Sequence, residues 1–142
     1  HAFEHAVGRL FPEAEYLTGG TLNRHVETQV KAYADRKLKQ FDLPLVWRGT
    51  DFQQRVLQAV ATIPYGQVRS YGEVAMLVGH PRAARAVGTA MKSNHLPLVV
   101  PCHRVVAAHG IGGYGGTREA IEVKKRLLRH EGFDLRTLEP SQ

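Results

Sequence analysis

Two helix-capping patterns divide the second half of this 142-residue chain into short helices. Thr50 and Ser70 are each followed three residues later by Gln or Glu, the spacing at which two side chains cap a helix start reciprocally. The second helix is expected to stop at Gly79, and Pro81 suits the first turn of another helix that runs to about Lys92. Two helices joined by the short turn "GHP" form a candidate helix-turn-helix.

Other segments predict further helices and a small amount of strand. Apolar residues at helical spacing predict helices from Leu22 to Phe41 and from about Arg118 to His130. The apolar run "LVV", residues 98–100, is typical of a buried strand, and the glycine-rich residues 107–116 are typical of a loop. The longest apolar runs are far too short to span a bilayer, so no membrane association is expected.

Positive charge is concentrated in one part of the sequence. Residues 80–130 contain nine Lys or Arg and two acids, a net charge of +7, whereas the whole chain carries +6 and the remainder therefore −1. Such clustering is typical of a surface that binds a polyanion, and nucleic acid is the obvious polyanion. Solvated helix surfaces explain the same charges, so charge alone leaves both interpretations open.

The helix predicted from Arg82 to Lys92 has small residues where a base-reading helix would carry long polar side chains. Its sequence is "RAARAVGTAMK", and small side chains permit close approach to a groove while carrying little sequence information. One arginine, Arg85, stands out from this smooth face. The alternative is that the alanines are simply good helix formers packed on a neighbouring element.

Cys102 is the only cysteine of the chain, which excludes an internal disulfide and favours a reducing, intracellular compartment. A cysteine becomes a strong nucleophile only as the thiolate, and His103 is its immediate neighbour. Adjacent side chains of a straight strand point to opposite faces, so contact between the two requires a turn, which Pro101 permits. The ring nitrogen of His103 that faces away from the thiol would need a hydrogen-bond acceptor, and we expect Glu131 to be that acceptor. The alternative is a buried, inert cysteine.

The sequence around Cys102 resembles the signature of the O6-alkylguanine-DNA alkyltransferases, also called methylated-DNA–protein-cysteine methyltransferases. The matching segments are "PCHRVV", "RAVGTAMKSNHLPLVV" before it, and "GYGG" and "LLRHEG" after it. The resemblance runs from about Arg48 to Phe133, and residues 1–47 resemble more loosely part of the family's N-terminal domain. It implies an α/β (α+β) fold. Residues 48–142 would form a helix-rich catalytic domain with a winged-helix-like helix-turn-helix, and residues 1–47 a partial N-terminal α/β domain (RNase H-like) and a connector.

The resemblance also implies DNA repair by a methylated-DNA–[protein]-cysteine S-methyltransferase that acts once. The alkyl group of O6-alkylguanine, and also of O4-alkylthymine, would pass to Cys102 after the base is flipped out of the duplex. His103 would take the thiol proton through a water while Glu131 holds His103. Asn94 would brace this network, and Tyr71 would donate a hydrogen bond to the leaving guanine.

The DNA and base contacts follow from the same resemblance. The protein would bind the minor groove of double-stranded DNA as a monomer, with Arg85 filling the gap in the base stack. It would act inside the cell, in the cytoplasm (bacterial nucleoid) or the nucleus, without a cofactor or bound metal. The implied DNA contacts are Ser70, Arg82, Ala84, Arg85, Met91 and Arg104. The implied base pocket consists of Tyr71, Met91, Val105, Tyr114, Gly115 and Gly116.

Two other functions could use the same residues. A helix-turn-helix regulator or lesion-binding protein could carry Cys102 as a structural residue, although "RAARAVGTA" lacks base-reading side chains. A cysteine hydrolase could use Cys102, His103 and Glu131 for acyl transfer. That second alternative leaves the basic helix pair without a role.

Overall fold

The computed structural model describes residues 20–43, 45, 47–94, 98–108, 110–112 and 118–138. The chain divides into two units, His1–Leu45 and Val46–Gln142, and each is described by itself. None of the helices in these ranges combines the length and the hydrophobicity that a transmembrane span requires.

Helix α1, Gly20–Ala34, is the helix described in the first unit. It ends earlier than the predicted limit of Phe41, because Arg36 has a φ of 60°, in the left-handed region that stops a right-handed helix. The chain then turns back, and the ring of Phe41 lies 5.7 Å from that of Tyr33. The prediction that α1 reaches Phe41 is therefore wrong, since this apolar residue packs on the helix from a returning loop.

Three helices open the second unit, and two of them carry the predicted caps. Helix α2, Asp51–Ala61, follows Thr50, whose hydroxyl accepts the N–H three residues on at 3.1 Å. Helix α3, Tyr71–Leu77, follows Ser70, whose hydroxyl does the same at 3.0 Å. Both reciprocal caps are complete, so the two helix starts predicted from the sequence are confirmed. Helix α4, Ala84–Met91, comes after the "GHP" turn.

The helices of the second unit enclose an aliphatic core. Helices α3 and α4 pack against each other, and both contact α2. Helix α5, Arg118–His130, packs on the segment that contains the cysteine, and the short 3-10 helix Leu135–Leu138 follows it. Core side chains with no exposed surface include Val56, Val60, Val74, Val87, Leu127 and Leu128.

One small parallel sheet places the start of α3 beside the residues that follow the cysteine. Strand β1, Arg69–Ser70, pairs with β2, Val105–Val106. The strand predicted at residues 98–100 is wrong, because Leu98 has a φ of 77° and lies in a turn, whereas strands require negative φ. Leu98 and Val100 are nevertheless buried, each 1% exposed, and Val99 between them is half-buried. The apolar character of the run reflects burial in a turn.

Candidate active site

Cys102 begins a single turn of 3-10 helix, Cys102–Arg104, here called the cysteine turn. Pro101 precedes it, and the Cys102 N–H donates to the carbonyl two residues earlier at 2.8 Å. Cys102 is half-buried, whereas His103 and Arg104 are buried. The turn that Pro101 permits is therefore present, and successive side chains are not held on opposite faces of a strand.

Glu131, which follows α5, is a buried carboxylate with partners on both oxygens. Arg104 Nε donates to Oε1 at 2.9 Å and Nη2 to Oε2 at 3.0 Å. The Gly66 N–H donates to Oε1 at 3.1 Å, and His103 Nε2 lies 2.7 Å from Oε2. Burial raises the pKa of Glu131, but hydrogen bonds from His103 and Arg104 and the charge of Arg104 outweigh it and hold the pKa well below its ordinary range. Glu131 is therefore ionised at neutral pH.

The ionised carboxylate decides which nitrogen of His103 carries the proton. Because a carboxylate can only accept, Nε2 of His103 must donate to Glu131, which leaves the lone pair on Nδ1. Burial is the largest effect on the pKa of His103 and lowers it, so the imidazole is neutral at neutral pH. Among the described residues, Nδ1 of His103 has no hydrogen-bond partner. Nδ1 is thus the atom of this pair that can accept a proton.

Lys124 is a buried cation that was not among the residues predicted for the site. It has no exposed surface, and its Nζ donates to the carbonyl of Val105 at 2.6 Å. Burial lowers the pKa of Lys124 to about 8, while the charge of a Cys102 thiolate raises it, so the two groups interact electrostatically. Helical spacing in the sequence could have indicated that Lys124 is buried, because Leu127 and Leu128 lie three and four residues further along the buried face of α5.

Replacing Lys124 with methionine, which is similar in length but uncharged, is expected to make Cys102 less reactive. A nearby cation lowers the pKa of a thiol by about one unit or more, so its loss lowers the thiolate fraction about tenfold near neutral pH. The measurement is the rate of Cys102 alkylation by iodoacetamide as a function of pH. Equal rates for the wild type and Lys124→Met at every pH would show that the lysine does not act on the thiol.

The matched control and a second readout come from the same helix. Lys125→Met removes the neighbouring lysine, which pairs with Glu122 at 3.5 Å, and should leave the reactivity of Cys102 unchanged. Between pH 8 and the ordinary lysine value of 10.5, the unfolded chain binds more protons at Lys124 than the folded protein does. The free energy of unfolding therefore rises with pH across that window. Lys124→Met should lack this rise.

Asn94 braces the segment that leads into the cysteine turn. Its Nδ2 donates to the carbonyl of Val100 at 3.0 Å, and the same carbonyl accepts the Cys102 N–H at 2.8 Å. A displacement of the Cys102 backbone therefore reaches Asn94 through one shared acceptor.

Tyr71 opens α3, and its ring lies between two glycines. A Cβ on Gly112 would lie 3.3 Å from the Tyr71 hydroxyl oxygen, and one on Gly88 would lie 3.9 Å from the other edge of the ring. Gly112 has a φ of 73°, and a Cβ there would also come within 2.9 Å of the Ala107 nitrogen. Glycine at this position lets the loop after the cysteine approach the Tyr71 hydroxyl closely.

Most residues predicted to contact DNA lie on or beside α3 and α4. Arg82, in the turn before α4, and Arg85, on α4, are exposed. Ala84 and Met91 are the first and last residues of α4, and both are partly exposed. Ser70 is the N-cap of α3. Of the predicted base pocket, Val105 is buried in β2, and Tyr114, Gly115 and Gly116 lie outside the described residues.

Arg104 is an exception among the predicted DNA contacts, because it is 5% exposed. Its Nη1 donates to the carbonyl of Ile63 at 2.7 Å, and its other two nitrogens donate to Glu131. Its guanidinium carbon also lies 5.7 Å from the centre of the Tyr65 ring. The predicted DNA contact is therefore wrong, since a buried ionised carboxylate requires a cation and Arg104 supplies it.

The site thus combines a half-buried thiol, a neutral imidazole with one open nitrogen, and a carboxylate that orients the imidazole. Such a set can activate a cysteine as a nucleophile. Over the ranges that the structure describes, no group of three or more His, Cys, Asp or Glu could hold a metal ion.

Comparisons with known proteins point to one family. A family model described as "6-O-methylguanine DNA methyltransferase, DNA binding domain" matches residues 51–133. A curated methylated-DNA–protein-cysteine methyltransferase from Mycobacterium tuberculosis is 53% identical over 104 residues, which are 72% of this chain and 61% of that protein. The matched region therefore spans about three fifths of that relative's length.

Solved structures agree with the sequence match. The crystal structure of Mycobacterium tuberculosis OGT in complex with DNA superposes with a TM-score of 0.72 at 47% identity, covering 83% of this chain and 68% of that one. S. pombe Atl1, in complex with damaged DNA containing O6-carboxymethylguanine, has a TM-score of 0.55 at 34% identity, covering 67% of this chain and 99% of that one. The family model covers α2 to α5, with the cysteine turn and Glu131. This protein therefore belongs to the 6-O-methylguanine DNA methyltransferase family.

Proposed function

We propose that this protein repairs DNA by direct reversal, transferring the alkyl group of O6-alkylguanine in duplex DNA to Cys102. The observation that carries the proposal is the half-buried thiol on the same turn as His103, which is buried against Glu131 and has one ring nitrogen open to a proton. The curated relatives support the same reaction, since they are named methylated-DNA–protein-cysteine methyltransferases.

The reaction is a single displacement at the alkyl carbon. Cys102 loses its proton through a water to Nδ1 of His103, and Glu131 stabilises the imidazolium that forms. The sulfur then forms a bond to the alkyl carbon while the carbon–O6 bond breaks, and the electron pair leaves with guanine. Tyr71 donates a hydrogen bond to guanine as this charge develops. The guanine anion takes up one proton in place of the alkyl group, and His103 gives up the one it received from the thiol, so the products are a thioether, neutral guanine and a neutral imidazole.

The protein acts once in this scheme. A thioether has no proton to lose and is a poor leaving group. The chain has no second cysteine to remove the alkyl group. Each molecule therefore repairs one lesion.

DNA binding uses α3 and α4 as a helix-turn-helix of the winged-helix type, docked in the minor groove. The exposed cations Arg82 and Arg85 and the small side chains of α4, among them Ala84, support this docking. Arg85 enters the base stack when the damaged base rotates out, and Ser70 and Met91 border the same surface. Base extrusion is required because the reacting atom is inaccessible inside a duplex. Two of the similar solved structures, both in complex with DNA, support this partner.

The remaining parts of the proposal concern the wider protein. Residues 48–142 form the catalytic domain, and residues 1–47 belong to an N-terminal α/β domain of the RNase H-like type. Tyr114, Gly115 and Gly116 complete the base pocket with Tyr71, Met91 and Val105. The protein acts on DNA as a monomer inside the cell, and it accepts O4-alkylthymine as a second substrate.

Mass spectrometry after mixing with a duplex that contains one O6-methylguanine tests this function. We expect one methyl group on the peptide that contains Cys102, at a ratio of one methyl per protein molecule. The Cys102→Ser variant is the matched control and should bind the same duplex without gaining a methyl group. Repeated rounds of demethylation by one molecule would contradict the single-use scheme.

The same experiment separates repair from lesion binding alone. A protein that holds the damaged duplex tightly, and whose mass does not change, would be a lesion-binding protein in which Cys102 is structural. An unchanged mass without DNA binding would reject both functions.

Replacing Arg85 with alanine is expected to slow transfer from duplex DNA by about tenfold or more, which corresponds to about 1.4 kcal/mol. The side chain is assigned to filling the vacated stack, and an intruding side chain offsets part of the cost of unstacking. The free base O6-methylguanine requires no extrusion, so transfer of its methyl group to Cys102 should be nearly unchanged. The measurement is the pair of rates for the two substrates.

The Tyr71→Phe variant is the contrasting case for this experiment. The hydroxyl of Tyr71 is assigned to the leaving guanine, so its loss should slow transfer from duplex DNA and from the free base. An equal loss on both substrates in Arg85→Ala would place Arg85 in the fold or the base pocket.

A further inference from the structure

The two residues after Cys102 both bind the same carboxylate. His103 and Arg104 are consecutive in the cysteine turn, and both reach Glu131 from across the fold. The guanidinium binds both oxygens, at 2.9 Å to Oε1 and 3.0 Å to Oε2. The imidazole shares Oε2 with it, at 2.7 Å. One short turn therefore carries the nucleophile, the imidazole, and the cation that holds the carboxylate.

The guanidinium is itself fixed in place. Its Nη1 donates to the carbonyl of Ile63, two residues after α2 ends, and its central carbon lies 5.7 Å from the centre of the Tyr65 ring. Gly66, in the same turn, donates its N–H to Oε1 of Glu131 at 3.1 Å. A carboxylate whose two oxygens both accept from a planar guanidinium cannot rotate without breaking several hydrogen bonds. Its Oε2 is consequently directed at the imidazole.

We propose that Arg104 is a positioning residue for alkyl transfer, holding Glu131 ionised and oriented so that His103 donates from Nε2 and keeps Nδ1 open to the thiol proton. This inference rests on the proposed function of Cys102. Arg104 thereby has a role in the reaction although its side chain does not touch the substrate.

The charges around His103 give this role a measurable consequence. The charged groups that act on the imidazole are Glu131, Arg104 and Lys124, and Cys102 is the neighbouring titratable group on the turn. The positive charge of Arg104 is among the causes that lower the pKa of His103, whereas Glu131 raises it. Burial is the largest cause that lowers this pKa, and the charge of Arg104 adds to it by offsetting part of the pull of Glu131. The imidazole is therefore neutral before it receives the thiol proton.

The experiment is the pH dependence of methyl transfer in Arg104→Gln and Arg104→Lys. Glutamine removes the charge, so the acid limb of the rate profile should move up by about 1–3 pH units. Lysine retains the charge but lacks the planar guanidinium that donates to both carboxylate oxygens. Its acid limb should stay close to that of the wild type, while its plateau rate falls. Arg136→Gln, which removes an exposed arginine paired with Asp134, is the control and should not change the profile.

A nitrogen-detected NMR experiment tests the same inference without any transfer. In the wild type at neutral pH, His103 should be neutral and protonated on Nε2. An imidazolium, or a proton on Nδ1, would overturn the proposal, as would a wild-type acid limb in folded Arg104→Gln. If Arg104→Gln does not fold, the plateau and acid limb of Arg104→Lys, together with the wild-type tautomer, decide the question. Failure of the wild type to be methylated would reject the proposed function. The tautomer of His103 would still show whether Nε2 donates to Glu131 and leaves Nδ1 open.

Discussion

The His103→Ala variant is expected to methylate Cys102 about 10²–10⁴-fold more slowly than the wild type near neutral pH. His103 is neutral because burial lowers its pKa, and its Nε2 is committed to Glu131, which leaves Nδ1 as the acceptor for the thiol proton. Alanine removes this acceptor. The measurement is the single-turnover rate of methyl transfer from duplex DNA.

The size of this defect should depend on pH. Above the ordinary pKa of a thiol, about 8.5, a cysteine ionises without assistance. The gap between His103→Ala and the wild type should therefore shrink as pH rises toward that value. The control is His25→Ala, at an exposed position of α1, which should match the wild type throughout. A defect of constant size at every pH would assign His103 a structural role.

The Glu131→Gln variant is expected to lose about 3–5 kcal/mol of stability, because it removes one member of a buried ion pair. The change leaves the guanidinium of Arg104 buried without its counter-charge, and no carboxylate remains to accept from His103 Nε2. The measurement is the free energy of unfolding in denaturant. The control is Glu122→Gln, whose carboxylate is half exposed and pairs with Lys125, and the cost there should stay below about 1 kcal/mol.

Glu131 also gives stability a defined pH dependence. Its pKa in the folded protein lies below the ordinary value of 4.5, so its stabilisation is complete above that value and is lost as pH falls below it. Glu131→Gln should lack this acid-dependent loss. If the wild type and the variant lost stability in parallel as pH fell, the ion pair would contribute nothing to acid stability.

The sequence by itself determined the features that depend on neighbouring residues. The caps at Thr50 and Ser70 join groups three residues apart, so composition and spacing were sufficient to locate two helix starts. The turn at Cys102 was also predictable, because Pro101 interrupts the apolar run directly before it. The resemblance of the cysteine segment to a known family then implied Glu131 as the partner of His103, which the fold brings to 2.7 Å.

Only the tertiary structure decided which charged residues are internal. Arg104 and Lys124 lie in the segment whose positive charge predicts nucleic-acid binding, and their residue types do not distinguish them from Arg82 or Arg85. Helical spacing places Lys124 on the buried face of α5, but it does not identify the partner of the charge. Arg104 is buried against a carboxylate 27 residues away, and Lys124 donates to a carbonyl 19 residues away. A charge is buried only where the fold supplies a partner that compensates for lost hydration. Because those partners are distant in sequence, packing determined which cations serve the site and which remain exposed.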